Sequence, residues 1–473
     1  MTAADAGLGY VLQTAVRHAA SVTPRRVAVV DDDGQFDCLE LLAWVEECRT
    51  ALRGRSGDTV LMRVPSSRHW VGAIIAAAQE DIGVAVVLAG STEPEIAEIV
   101  TESGASSALR VDARGAPRLE GLQTQDRGAF RGFGLHQRTS GSTGAPTTVW
   151  RPARVLLLEA RGVASALALG RDDRLFATTP LGHSFGSALC FASLVSGAAI
   201  AVTGKLDGQR LTAVAEVVRP TVLAGVPYTF RLLCRPRLDL SAWASLRMAL
   251  CGGAAVTNDL AVAVEASLGV PLTQEYGLTE VGVLTVNVDG SRTRRESVGT
   301  VVPGVEIEIV ETGTRLQVGV GVDGDVMARH TCPPGDPVSA WTDTGDIGHQ
   351  DTEGRVYITG RKKLMVNVGG VAVAPREVEK VLLASGRLED VLVTGESHAV
   401  AGESLVAFVV PADRLVETSA ELVSLLYKWM RERLSEVKVP RRLVVLDEFP
   451  RTPSGKMDAV ALRSANAREV SPS

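Results

Sequence analysis

The stretch Arg138-Thr139-Ser140-Gly141-Ser142-Thr143-Gly144-Ala145-Pro146-Thr147-Thr148 carries the strongest chemical signature in the chain. Hydroxyl side chains and glycines between polar flanks leave the backbone free to fold around an anion, with N–H groups and hydroxyls as donors. On these residues alone it is a phosphate-holding loop or a flexible surface turn. It is not a Walker A loop, because no Gly-Lys-Ser/Thr closes it and no helical pattern opens directly behind it.

Five further stretches follow in order: Cys251-Gly252-Gly253-Ala254, Gln274-Glu275-Tyr276-Gly277-Leu278-Thr279-Glu280, Trp341-Thr342-Asp343-Thr344-Gly345-Asp346, Gly360-Arg361-Lys362-Lys363 and Arg451-Thr452-Pro453-Ser454-Gly455-Lys456. Singly, each has a plain reading: Asp346 as a turn residue, Tyr276 as a core aromatic, Lys456 as a solvated charge. Together, behind the Ser/Thr/Gly loop, they resemble the adenylate-forming superfamily of acyl- and aryl-CoA synthetases, peptide-synthetase adenylation domains and luciferase. The resemblance spans nearly the whole chain.

It implies a carboxylate attacking the α-phosphate of ATP, which demands fixed donors and cations around several negative oxygens. Residues Thr139, Ser140, Gly141, Ser142, Thr143 and Gly144 would cradle the β- and γ-phosphates. Thr279 would contact the α-phosphate, while Glu280, with Thr143, would help hold Mg²⁺. Tyr276, between Glu275 and Gly277, offers a flat face to adenine, and Gly252, Gly253 and Ala254 let the backbone close on the nucleotide. Asp346 would accept the ribose hydroxyls and Arg361 would donate to the ribose and phosphate region. Lys456 would be the catalytic lysine, reaching carboxylate and phosphate together.

The resemblance also implies a hinge at Lys363 and, after domain rotation, a pantetheine passage at Gly369 and Gly370, which favours a thiol acceptor. Pro180-Leu181-Gly182-His183-Ser184-Phe185-Gly186 matches the region lining the acid pocket. There His183 is a gate, a carboxylate partner or a core histidine, with Phe185, Val226, Leu250, Gly277 and Leu278 as walls suited to a small aromatic or medium acyl acid. Relatives commonly carry lysine where this chain has Thr147; Arg151 is the nearest candidate to replace that cation. Asn367 and Leu364 also depart from common patterns, which bears on the acceptor. Gly319-Val320-Gly321-Val322-Asp323-Gly324 fits a dinucleotide fingerprint, but strand-like residues follow it where a helix is required.

The elements that must position these groups follow an α/β rhythm. Strands are expected near residues 26–30, 59–64, 84–88, 174–178, 199–202, 222–224 and 248–250, with helices at 39–52, 70–79, 154–169, 186–196, 211–218 and 228–234. Gly252 then stands at a strand's end, where α/β folds place ligands. Residues 112–137 read as a polar, exposed connection, and 298–357 as a β-rich subdomain. A compact α/β unit restarts after 360, with helices at 375–383 and 420–434 and strands at 390–394 and 405–410. The expected organisation is an α/β protein: a large domain, 1–360, binding ATP and acid, hinged to a small α+β domain, 361–473.

At 473 residues, 45% apolar and 22% charged with a net charge of −6, the chain is globular and lacks the basic field that nucleic acid or an acidic membrane surface would need. Six scattered cysteines show no zinc or redox spacing, so they are expected reduced and mostly buried. The first ten residues lack the pattern of a secretory leader, and the longest apolar run, 189–202, is short for a bilayer span. A cytoplasmic enzyme is expected, as monomer or homodimer. It would adenylate a small, preferably aryl, carboxylic acid and pass it to coenzyme A. Alternative acceptors are a carrier-protein thiol or an amine, with nitrite activation for an aryl amine a remoter variant. The reading of another class is a non-catalytic nucleotide-binding relative.

Overall fold

Apolar residues alternate between two faces along the strands of the larger unit, and this period of two sets its layers. The computed structural model describes residues 7–122, 132–139, 147–234, 240–288, 295–332, 337–368, 371–398, 402–412, 418–451, 457, 462 and 468–470. Packing divides the chain into one unit of Met1–Ile307, Ala328–Thr342 and Pro453–Gly455, and a second of Glu308–Met327, Asp343–Thr452 and Lys456–Ser473. Residues 343–360, which precede the boundary expected from the sequence, thus group with the second unit.

The first unit holds two sheets. One contains β1 (Val27–Asp31), β2 (Gly34–Asp37), β9 (Arg174–Ala177), β10 (Ala199–Val202), β11 (Val222–Gly225), β12 (Met248–Cys251), β13 (Leu272–Leu278), β14 (Gly282–Val286) and β15 (Thr300–Val301). Its order is β15-β14-β13-β12-β11-β9-β10-β1-β2, with β13, β12, β11, β9, β10 and β1 parallel. The other has β3 (Thr59–Arg63), β4 (Gly83–Val86), β5 (Ser107–Val111), β6 (Pro117–Gly121), β7 (Gly134–Arg138) and β8 (Thr148–Pro152), ordered β6-β5-β3-β4-β7-β8.

Between the sheets lie α1 (Leu8–Val22), α2 (Cys38–Leu52), α3 (Arg68–Gln79), α5 (Ala153–Ala166) and α6 (Ser184–Ser196), whose buried residues join Val60, Met62, Leu175, Ala177 and Leu250 in one core. The intervening strand residues point the other way. Phe176, Ala201, Leu223 and Ala249 pack under α7 (Gly208–Val218), α8 (Pro227–Leu233) and α9 (Asn258–Leu268), and Leu61, Ala85 and Ala108 under α4 (Glu93–Ser103). Five layers, α/β/α/β/α, follow from that alternation. Capping boxes start α2 (Asp37 with Glu40) and α4 (Thr92 with Glu95), which explains why these helices begin where they do.

The second unit takes in much of a meander ordered β16 (Val305–Val310), β17 (Gly324–His330), β18 (Thr342–Gln350) and β19 (Val356–Arg361). It continues with β20 (Val366–Val368), β21 (Val371–Val373), β22 (Leu388–His398), β23 (Gly402–Pro411), β24 (Arg442–Val445) and β25 (Arg468–Val470), ordered β21-β20-β23-β24-β25 with β22 beside β23. Helices α10 (Pro375–Leu383) and α11 (Ser419–Arg431) cover one face, over Leu405, Ala407 and Val409. A large α/β part with a small C-terminal domain is the architecture the sequence implies.

One expected connection changes. Residues 112–137 are not one exposed connection: β6 lies on them, and β7 begins at Gly134 with His136 and Gln137 buried. Only Leu135 marks β7 as apolar, so a strand buried through paired polar groups left no hydrophobic pattern. The glycine run 319–324 leads into strand β17, as anticipated, so no helix N-terminus follows it. All six cysteines are free, four of them buried.

Candidate active site

Parallel pairing of β9, β11, β12 and β13 brings the segments after their C-terminal ends to one edge of the sheet. After β9 comes the Gly182–His183 turn, after β11 Val226, after β12 Gly252, and after β13 the Thr279–Glu280 turn that returns as β14. Gly252 donates its N–H to the Gly225 carbonyl at 3.0 Å. A Cβ on Gly252 would overlap Glu275 Oε2 and touch the Phe185 ring at 3.1 Å. At Gly277 one would meet Glu275 Oε1 at 2.6 Å. These two glycines are therefore required by a buried carboxylate packed between them, and four of the anticipated residues, Phe185, Gly252, Glu275 and Gly277, are neighbours. Burial, and then the Glu275 charge, push the Cys251 thiol well up, so it is inert.

Tyr276 is half-buried against the central core, and Leu278 and Thr279 are half-exposed. Thr279 Oγ1 lies 3.5 Å from Ser184 Oγ, the first residue of α6. His183 is the residue before that helix, half-buried, with its N–H on the Pro180 carbonyl at 3.0 Å. Gly253 (φ 76°) and Ala254 are exposed beyond β12. Val226 and Leu250 are 2% and 1% exposed, and Leu250 belongs to the central core.

The stretch expected from the sequence to hold phosphate lies between the paired strands β7 and β8. Residues 140–146, with Ser140, Gly141, Ser142, Thr143 and Gly144, lie outside the described residues. The loop's base is described: the Thr139 N–H donates to the Thr147 carbonyl at 2.9 Å, and the Thr147 N–H to Thr139 Oγ1 at 3.2 Å. Arg151 does not replace the missing loop lysine. Its side chain is 0% exposed and paired with Glu159 at 2.8 Å inside the core. Thr147 precedes β8, whereas Arg151 lies on that strand and points into the core.

In the second unit, Asp346 on β18 and Arg361 on β19 are directly cross-paired, with Arg361 Nε 3.3 Å from Asp346 Oδ1. Asp346 is 7% exposed and its N–H is held by Thr344 Oγ1. Next to Arg361, Lys362 Nζ sits 2.7 Å from Asp325 and 2.8 Å from Asp343. Burial would lower the lysine's pKa, but both carboxylates outweigh it and raise it, so Lys362 stays a cation. This anchor is not legible in the sequence, where the Asp343-Thr344-Gly345-Asp346 motif holds one of its two carboxylates. Lys363 lies in the short 3-10 turn Lys362–Leu364. Gly369, Gly370 and Lys456 lie outside the described residues.

Glu280 is exposed in its turn, and among the described residues no group of three or more His, Cys, Asp or Glu could cage a metal. A lone carboxylate fits Mg²⁺, which keeps waters and takes further oxygens from substrate phosphates. No helix among the described residues is long and apolar enough to cross a membrane.

Parallel strand ends that gather at one edge of a sheet and a small C-terminal α/β domain are the architecture of a nucleotide-using enzyme of the adenylate-forming class, and the comparisons with known proteins show that class. The model of the AMP-binding enzyme family matches residues 137–332, and that of the AMP-binding enzyme C-terminal domain matches 377–456. An indoleacetate–CoA ligase of Aromatoleum aromaticum is 31% identical over 70% of this chain and 67% of its own length. A feruloyl-CoA synthase of an Amycolatopsis species is 29% identical over 77% of this chain and 76% of its own. Among solved structures, ATP-bound MatB of Rhodopseudomonas palustris superposes with a TM-score of 0.83 at 22% identity, covering 97% and 99% of the two chains. An anthranilate CoA ligase with anthranoyl-AMP gives 0.82 at 21% identity, covering 98% of each. The chain belongs to the AMP-binding enzyme family, the AMP-forming ligases of the adenylate-forming superfamily.

Proposed function

We propose that this protein joins a small aryl carboxylic acid to coenzyme A in two steps. In the first, a carboxylate oxygen attacks the α-phosphorus of ATP, the P–O bond to the β-phosphate breaks, and pyrophosphate leaves. In the second, the thiol sulfur of coenzyme A attacks the acyl carbonyl carbon, and AMP leaves as the thiol proton passes to solvent. The observation that carries this reading is the shared edge: Phe185, Gly252, Glu275 and Gly277 pack together beside the turn bearing Thr279 and Glu280. An aryl acid is favoured because relatives named for indoleacetate and ferulate align over most of this chain.

In this reading the hairpin tip, 139–144, holds the outer phosphates through backbone N–H groups and hydroxyls. Thr279 directs its hydroxyl to the α-phosphate. Glu280 and Thr143 would hold Mg²⁺, whose charge offsets that of the phosphates. Tyr276 stacks on adenine, Gly252, Gly253 and Ala254 leave room for the nucleotide, and Asp346 takes the ribose hydroxyls with Arg361 holding the carboxylate in place. His183, Phe185, Val226, Leu250, Gly277 and Leu278 surround the acid. Lys456 bridges carboxylate and phosphate during adenylation, with Lys363 as the hinge and Gly369 and Gly370 as the passage for the thiol arm.

The test is pyrophosphate release from purified protein with ATP and Mg²⁺ across aryl and acyl acids, with and without coenzyme A, with products weighed. Acid-dependent pyrophosphate with an acyl-CoA mass is the expected result. Acyl-AMP alone would move the acceptor to a carrier protein or amine. Absence of both ATP binding by calorimetry and pyrophosphate would overturn the reading.

A further inference from the structure

A buried ion pair lies at the junction of three elements that the proposed reaction needs. Arg151, on the strand that leaves the phosphate loop, and Glu159, on α5, are 0% and 1% exposed and 2.8 Å apart. Glu159 Oε1 also accepts the Val283 N–H at 2.8 Å, at the start of the strand that follows the Thr279–Glu280 turn. Gly282 beside it has φ 95°, and a Cβ there would overlap Glu159 and meet Arg151 Nη2 at 2.5 Å. The turn is thus pressed directly onto the pair.

From Arg151 the connections run the other way. Its Nη1 reaches Gln137 Oε1 at 3.4 Å, and Gln137 is 1% exposed on the strand that enters the phosphate loop. Gln137 Nε2 donates to the Gly182 carbonyl at 2.9 Å and to Ser187 Oγ at 3.2 Å. Ser187 in turn donates to the Ser184 carbonyl at 2.9 Å. This holds the backbone on both sides of His183.

A buried ion pair is a poor way to gain stability, since apolar residues of similar size close a core as well or better. What hydrogen-bonded charges supply and apolar packing does not is a fixed direction. We propose that Arg151, Glu159 and Gln137 are positioning residues: Glu159 fixes the Thr279–Glu280 turn, and Gln137 fixes the His183 loop, both against the two strands of the phosphate hairpin. The trio touches no substrate. It sets the distance between the phosphate-holding and acid-holding segments from inside the core, and this assignment of consequences rests on the function proposed above.

Two variants separate the ends. Arg151→Met/Glu159→Leu replaces the pair by apolar side chains and retains the fold, with a lower melting temperature because the buried Val283 N–H and Gln137 Oε1 lose their partners. Its kcat for pyrophosphate release falls about tenfold to a hundredfold, the size of effect that a misplacement near 1 Å produces. Gln137→Leu instead raises the KM for the acid and leaves the KM for ATP unchanged. Hydrogen exchange followed by mass spectrometry gives a readout independent of turnover. Peptides covering 279–286 exchange faster in the double variant, and those covering 181–187 exchange faster in Gln137→Leu. Unchanged exchange in both segments, or a loss of stability in the double variant with kcat retained, would overturn the proposal. A wild-type protein with no pyrophosphate activity would sink the proposed function, while the exchange measurements would still decide this one.

Discussion

Thr139 and Thr147 close the ends of the paired strands β7 and β8 on each other, through two hydrogen bonds of 2.9 and 3.2 Å and a hydroxyl contact of 3.3 Å. Both bonds use the main chain of Thr147, so its side chain is nearly free of structural duty. That fact makes the missing lysine testable. Thr147→Lys keeps both bonds and adds a cation at an exposed site beside the proposed phosphate loop. An exposed charge contact is worth about 1 kcal/mol at most, so the KM for ATP should fall by up to about fivefold. Steady-state kinetics at low and high salt checks this: the gain should shrink with salt, and an unchanged or higher KM would place the side chain away from the phosphates.

Asp346 offers a test with a built-in control. Asn at this position keeps the shape but removes the charge that faces Arg361, which at 41% side-chain exposure can turn to solvent. Hydrogen bonds to a charged group contribute about 1.5–3 kcal/mol, so Asp346→Asn should raise the KM for ATP by about tenfold to a hundredfold. With 2′,3′-dideoxy-ATP the two proteins should become nearly equal. A variant that discriminates equally against both nucleotides would show that Asp346 acts only on Arg361.

Lys456 is proposed to act in adenylation and not in thioester formation. Lys456→Ala should then lose about 10²–10³-fold or more in acid-dependent pyrophosphate release, the loss typical of a single donor to developing negative charge. Nucleotide binding by calorimetry should persist. Supplied with a synthetic acyl-AMP and coenzyme A, the variant should still form thioester at the wild-type rate; equal loss in both half-reactions would point to a misfolded small domain.

The strands and helices were legible where burial is apolar. The stretch 199–202 reads as a strand and 375–383 as a helix, and β10 and α10 have those bounds, because each pairs a clean hydrophobic pattern with a clear stop. The family motifs were legible because adenylation fixes residue types at fixed spacing. Illegible were the places where polar groups are buried by pairing. Gln137 and Arg151 read as an exposed connection and a spare cation; their partners, Gly182 and Glu159, are 45 and 8 residues away. Burial of a charge is decided by what meets it in three dimensions, and sequence periodicity carries no record of that.

His330 gives the last prediction, and its sign follows from burial. The residue is 4% exposed on β17, and desolvation, reinforced by the Arg151 charge, brings its pKa down to about 4, against a small opposing pull from the backbone at Val281 and Gly304. The unfolded chain has the ordinary value of about 6.5 and binds the proton more readily. Stability from the neutral imidazole is therefore fully present above pH 6.5 and is lost as pH falls from 6.5 towards 4. Asp173 contributes only lower down. Burial raises its pKa, but hydrogen bonds from Arg247, Thr221 and the Gly170 N–H outweigh that and bring it to about 2, so its share disappears below pH 3.8. Thermal unfolding followed from pH 8 to pH 4 should show a Tm that is level above pH 7 and declines from 6.5 downward. His330→Phe should start lower, through imperfect fit in a filled site, and decline less steeply across that window. An equally steep decline in the variant would assign the acid sensitivity to other groups and leave His330 as a packed, untitrated ring.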